Sequence, residues 1–254
     1  IAAGLAMEGF IHYVNTIATF LTRRCFEQIV VDACLHNLPV RLLSSGGGLV
    51  YAPLGPTHLA IEDLSILRTL PNLTIVAPSD AVEMQAVMEA SLECKGPLYI
   101  RFGKGGDPVL PRNADVAEFR FGRAEWILPQ ADINFVSTGV MTEACRQAAL
   151  NLQSCGHQCG VLHLATIKPL DVDALLGVAI NSRLMVTVEE NVLAGGLGAA
   201  VAEVLIDRKV NLPRFLRLGL SDQFPKNYGS QADLLSDYGL TPELIAKSVL
   251  GEID

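Results

Sequence analysis

The chain reads as α/β, built from two three-layer domains with mostly parallel sheets. Three observations say so. Short β-branched apolar runs alternate with helix-length periodic segments, one Gly- and Pro-rich stretch near the middle interrupts that rhythm, and the rhythm then resumes. Parallel strands covered by helices on both faces carry such near-continuous apolar runs, because the crossover that joins them is itself a helix.

Taken in order, the opening IAAGLAMEG has the small residues of a helix interior and no initiator Met. The chain is therefore expected to begin after something removed or unseen. HYVNTIA predicts a strand, RCFEQIVVDACL a helix, PVRLLSS a strand, IEDLSILRTL a helix, LTIVAPS a strand, DAVEMQAVMEASLE a helix and PLYIRFG a strand. Asp80, after Pro78 and Ser79, stands where a helix N-cap is expected, with Glu83 placed to support it. From about Lys104 the periodicity fails in GKGGDPVLPRNAD, as a linker's does. Beyond it INFVSTG, CGVLHLA, LMVTVEEN and RFLRLGL predict strands, while MTEACRQAALNLQSC, DVDALLGVAI, GGLGAAVAEVL and TPELIAKSVL predict helices. The reading is a first domain over residues 1–112, a linker over 113–130 and a second domain over 131–254.

At 254 residues, with half of them hydrophobic, the chain can bury a core in each of two domains. Charges, glycines and prolines interrupt every apolar run short of a bilayer span. The net charge of −8 comes with no basic block, which argues against nucleic acid or an anionic membrane as partner. Small molecules and other proteins are the expected partners. Of the six cysteines only Cys155 and Cys159, flanking His157, fall close together, and no second ligand pair follows at metal-site spacing. Reduced thiols in a cytoplasmic protein are the expectation.

Open parallel sheets bind ligands at the carboxyl ends of their strands. PVRLLSSGGGLVYAPLGPTH has that form, a buried strand running into a glycine-rich loop with His58 at its end. A loop histidine is either a satisfied structural residue or one presented to substrate, and the string GPTH alone does not choose. Gly46, Gly47 and Gly48 suit a phosphate cradle, but no P-loop lysine follows at the required spacing. Glu189 and Glu190, adjacent on a strand, point to opposite faces and do not converge as an acid and a base.

The segments TIATFLTRRCFEQI, GPTHLAIEDLSILRTLPNLTIVAPSDAVE, GPLYIRFGKG, HLATIKPLD and VTVEENVLAGGLGAAVAEVL, in this order, span nearly the whole chain. They resemble the C-terminal half of the transketolase family and its relative 1-deoxyxylulose-5-phosphate synthase. The resemblance implies a pyrimidine-binding domain followed by the family's C-terminal domain, and thiamine diphosphate with Mg²⁺ as cofactor. It implies that Phe20 lies against the aminopyrimidine ring, with Ile17 and Arg23 at neighbouring pocket positions. It implies that His58 faces the bound donor and handles protons, and that Arg101 and Lys104 hold an anionic end of the acceptor.

The family's diphosphate- and metal-binding domain has no counterpart in this sequence, nor has the glutamate that activates the cofactor. The resemblance thus implies a C-terminal subunit of a split transketolase, or a fragment, inactive alone, with a diphosphate-binding N-terminal partner and self-association across the site. A heterotetramer and a dimer both fit. Leu54 stands where the family often has an acidic residue before GPTH, and Gly46 where it often has a histidine. Both changes remove partners for sugar hydroxyls, so the two-carbon ketol unit is expected to move between sugars or sugar phosphates other than the standard pentose phosphates. The alternatives are a decarboxylating subunit, of the deoxyxylulose-phosphate synthase or 2-oxo acid dehydrogenase β type, and a non-catalytic scaffold.

Overall fold

The computed structural model describes residues 1–112, 119–211 and 213–253. Among them are two five-stranded sheets. The first contains β1 (His12–Ile17), β2 (Val40–Ser45), β3 (Thr74–Val76), β4 (Leu98–Phe102) and β8 (Thr166–Lys168), in the order β1-β2-β4-β3-β8. The second contains β5 (Glu125–Leu128), β6 (Ile133–Ser137), β7 (Cys159–His163), β9 (Leu184–Val192) and β10 (Arg214–Leu220), in the order β10-β9-β6-β7-β5. Every pairing is parallel except those of the two edge strands β8 and β5.

The helices are α1 (Ala2–Met7), α2 (Phe26–Gln28), α3 (Asp63–Leu67), α4 (Ala81–Ala90), α5 (Met141–Ser154), α6 (Val172–Asn181), α7 (Leu197–Asp207), α8 (Gln231–Asp237) and α9 (Pro242–Ile253). The short α2 lies between two π-helical stretches, Phe20–Arg24 and Ile29–Cys34. Asp80 caps α4, its carboxylate accepting from the Glu83 N–H at 2.9 Å. Glu83 reaches back to the Ser79 N–H at 2.6 Å.

Two departures from the sequence reading matter for the site. Residues 113–118 of the expected linker lie outside the described residues, but β5 falls within its remainder, and pairs antiparallel with β7. Its run of Trp126, Ile127 and Leu128, cut short by Pro129, is too brief to show periodicity. More consequentially, HLATIKPLD does not stay in its own domain. Its β8 leaves the second sheet and closes the edge of the first, pairing antiparallel with β3, and the Ala77 N–H donates to the Ala165 carbonyl at 2.7 Å.

The cores confirm this interlocking. One apolar cluster lies on the face of the second sheet covered by α5 and α9, and it takes in Leu49, Ala52, Leu59 and Ile61 from the loop after β2. Leu49 and Leu59 are fully buried there. Each such leucine contributes about 1.5–3 kcal/mol of burial. Thus the loop that carries His58 is fastened to the second domain as well as to its own sheet.

Candidate active site

The loop after β2 starts in the first sheet, where the Gly46 N–H donates to the Phe102 carbonyl at 2.8 Å. It ends beside the second, where the Val192 N–H donates to the Ile61 carbonyl at 2.8 Å. Between these anchors two short 3₁₀ turns, Ala52–Leu54 and Pro56–His58, bring His58 to the surface half-buried. Pro53 and Pro56 fix the backbone of both turns.

His58 and Phe20 meet edge to face, ring centroids 5.1 Å apart at an interplanar angle of 69°. Phe20 opens the helical stretch that follows β1, and Ile17 is the last residue of that strand, both half-buried. Arg23 is exposed one turn on, its guanidinium paired with the Glu62 carboxylate, with Nη2 to Oε2 at 2.8 Å. The Arg24 guanidinium stands 4.9 Å from the Phe20 ring centroid. Thr57 Oγ1 shares a hydrogen bond with His58 Nδ1 at 3.0 Å, which leaves Nε2 without a partner among the described residues.

Arg101 and Lys104, read from the sequence as a pair, are separated. Arg101 is only 6% exposed; its Nε donates to Asp63 Oδ2 at 2.8 Å and its Nη2 to the Glu190 carbonyl at 2.9 Å. Asp63 Oδ2 also accepts from the Tyr99 hydroxyl at 2.7 Å. Through these bonds Arg101 braces the strand end from within. Its guanidinium joins the end of β4 to the first residue of α3. Lys104 lies two residues beyond β4, exposed, with Nζ 5.9 Å from the Tyr51 ring centroid.

The three glycines do not form a phosphate cradle. A β-carbon on Gly47 would strike the Arg101 side chain and one on Gly48 that of Glu190, so the glycines make room for buried side chains. Glu189 and Glu190 do diverge. Glu189 accepts from the Leu197 and Gly198 N–H groups at the start of α7, at 2.6 and 2.8 Å, and Glu190 from the Leu49 N–H and the Gln231 amide, at 2.9 and 2.8 Å. Burial raises the Glu189 carboxyl to about 7, against the opposing pull of those N–H groups. Both are structural, fixing α7 and the His58 loop.

Sequence reasoning missed the partners that set these positions. Asp63, Tyr51 and Tyr228, whose ring lies over Gly55, all act through contacts between segments distant in sequence. It also missed His163, which bridges the two domains through Nε2 to Glu83 Oε2 at 2.8 Å and Nδ1 to Thr142 Oγ1 at 2.8 Å. The one available signal was the run of three glycines, which marks a place where other atoms approach the backbone.

The family described as "Transketolase, pyrimidine binding domain" matches residues 1–106, and that described as "Transketolase, C-terminal domain" matches residues 122–245. The chain belongs to the transketolase family. Among its transketolase relatives, an apulose-4-phosphate transketolase subunit of Phocaeicola vulgatus is 34% identical, over 98% of this chain and 78% of that protein. 1-Deoxy-D-xylulose-5-phosphate synthase 1 of Geobacter sulfurreducens is 35% identical over 96% of this chain, but this chain spans only 38% of its length. A solved split-gene transketolase, described as an inactive β4 tetramer, superposes with a TM-score of 0.89 at 34% identity, covering 98% of this chain and 78% of that one.

Proposed function

We propose that this chain is the C-terminal subunit of a thiamine diphosphate-dependent, transketolase-type transferase that moves a two-carbon ketol unit between sugars or sugar phosphates. The observation that carries the reading is the contact between Phe20 and His58, an aromatic platform and a proton carrier from separate segments meeting at one surface. When bound, thiamine diphosphate supplies a nucleophilic carbon and an electron sink for cleaving the carbon–carbon bond beside a ketone. The residues present fit its aminopyrimidine. Phe20 and Ile17 are half-buried and give a flat ring apolar surface, and Arg23, held by Glu62, closes one side.

His58 holds or moves a proton at Nε2 toward the donor's oxygen, its ring oriented by the hydrogen bond between Nδ1 and Thr57 Oγ1. Lys104 takes the anionic end of the acceptor. Leu54, half exposed beside the turn, offers no hydrogen bond to a sugar hydroxyl, which supports a substrate other than a standard pentose phosphate. Among the described residues no cluster of three or more His, Cys, Asp or Glu side chains is placed to hold a metal. Because the chain matches the C-terminal half of the family alone, we assign Mg²⁺ and the diphosphate to an N-terminal partner subunit, without which this chain is inactive, and a heterotetramer to the working assembly. The split-gene relatives support that arrangement. A reducing, cytoplasmic compartment suits the six free cysteines.

Calorimetric titration of thiamine diphosphate with Mg²⁺ into the chain, alone and with its diphosphate-binding partner, tests the assembly. Binding only in the mixture is expected, followed by two-carbon transfer without gas release. Release of CO₂ from a 2-oxo acid would replace transfer by decarboxylation, and a mixture that binds no cofactor would make the chain a scaffold. Efficient turnover of xylulose 5-phosphate with ribose 5-phosphate would remove the claim of an unusual substrate.

A further inference from the structure

The start of α8, in the second domain, is built to hold still. Ser230 and Asp233 close a capping box, the Asp233 carboxylate accepting from the Ser230 N–H at 2.8 Å and the Ser230 hydroxyl from the Asp233 N–H at 3.2 Å. Gln231 donates to Glu190 Oε1 at 2.8 Å, and that same oxygen accepts from the Leu49 N–H at 2.9 Å. One buried carboxylate thus ties the start of α8 to the loop that carries His58. Just before the cap, Tyr228 reaches onto the same loop. Its ring lies against Gly55, where a β-carbon would come within 2.4 Å of Tyr228 Cε1 and 2.9 Å of its hydroxyl oxygen. Gly55 has φ +78° and ψ −177°, a backbone shape open to glycine alone, and its carbonyl accepts from the His58 N–H at 3.0 Å. Beyond His58 the loop is anchored by the fully buried Leu59, but before it Leu54 is 50% exposed and Gly55 has no side chain to bury. The Tyr228 ring supplies the anchor that Gly55 lacks.

We propose that Tyr228 is a positioning residue for His58: its ring bears on Gly55 and holds the turn Pro56–His58 in the orientation that presents Nε2. The role of His58 itself rests on the ketol-transfer reading above. By this contact the second domain takes part in the chemistry as well as in the fold. A glycine beside a catalytic side chain leaves the backbone free to swing, and a rigid ring seated on it removes that freedom. Tyr228 is itself 69% exposed, and its hydroxyl has no hydrogen-bond partner among the described residues, so the ring and not the hydroxyl carries the role. A contact so exposed adds little to global stability, which separates its effect on the turn from an effect on folding.

The test uses the chain assembled with its diphosphate-binding partner, thiamine diphosphate and Mg²⁺. Steady-state rates, cofactor affinity by calorimetry, and NMR of isotope-labelled histidine are compared for the native protein, Y228A and Y228F. In Y228A kcat should fall about ten- to a hundredfold, the loss that misplacing a catalytic group by about an ångström brings. Cofactor affinity and melting temperature should stay native, while the His58 resonances move or broaden. Y228F keeps the ring on Gly55 and should keep the native kcat. A Y228A protein with native kcat, or one whose kcat falls while the His58 resonances stay native, overturns the proposal. So does a loss in Y228F equal to that in Y228A, which would give the role to the hydroxyl. Should the native assembly transfer no ketol unit while Y228A, and not Y228F, moves the His58 resonances, the ketol-transfer reading fails and the positioning of His58 by Tyr228 stands.

Discussion

The rings of Phe20 and His58 meet edge to face with centroids 5.1 Å apart, although thirty-eight positions separate them in sequence. One comes from the helical stretch after β1 and the other from the loop after β2, neighbouring parallel strands in the first sheet. An aromatic pair is worth about 0.5–1.5 kcal/mol beyond its buried area. Phe20→Ala should weaken thiamine diphosphate binding to the assembled enzyme about three- to tenfold. His58→Asn should lower kcat by about 10²–10⁴ with cofactor affinity little changed. Titration calorimetry and steady-state rates separate the two.

Leu59, fully buried, fastens the His58 loop into the core of the second domain. Leu59→Ala should destabilise the chain by about 2–5 kcal/mol. Because the anchor is adjacent to His58, the variant should also lose activity at temperatures where circular dichroism still reports it folded. Loss of stability alone would mean that the two proline-braced turns hold His58 without the anchor.

Arg101 and Lys104 should part company under mutation. Arg101→Met leaves the Asp63 carboxylate buried without its guanidinium, at a cost of about 3–5 kcal/mol. Lys104→Ala breaks no ion pair among the described residues. Its melting temperature should match the native one, while KM for a phosphorylated acceptor rises and that for an uncharged one does not.

The domain junction predicts an acid limit. Glu83 is buried, which alone would raise its carboxyl, but His163, the Ser79 N–H and Arg112 outweigh burial and lower it from 4.5 to about 2. A depressed folded-state value stabilises above 4.5, and that contribution is lost as pH falls from 4.5 toward 2. Glu83→Gln should flatten the loss of stability in that window, read by denaturant melts at stepped pH.

Glu189 predicts the opposite slope. Burial lifts its carboxyl from 4.5 to about 7, so its contribution is complete below 4.5 and is lost as pH rises through 7. Glu189→Gln should remove that part of the decline between pH 4.5 and 7, by an amount on the order of 2 kcal/mol. An unchanged pH profile would mean that the N–H groups of α7 hold the carboxylate ionised.

By itself the sequence determined the α/β class, most strands and helices, the family, and the segment in which His58 lies. These follow from local periodicity, from turn and cap chemistry such as Asp80 before α4, and from blocks whose order is written in the chain. Only the tertiary structure decided that β8 crosses to the first sheet, that Arg101 is consumed by Asp63, and that the His58 loop is rooted in the other domain. The physical reason is the same in each case. An edge strand as short as β8 has no periodicity of its own, and its place depends on the unpaired N–H and C=O groups of β3 that it satisfies. Likewise an arginine at a strand end reads alike whether it meets solvent or a buried carboxylate, and the partner that decides is contributed by a helix thirty-eight residues away.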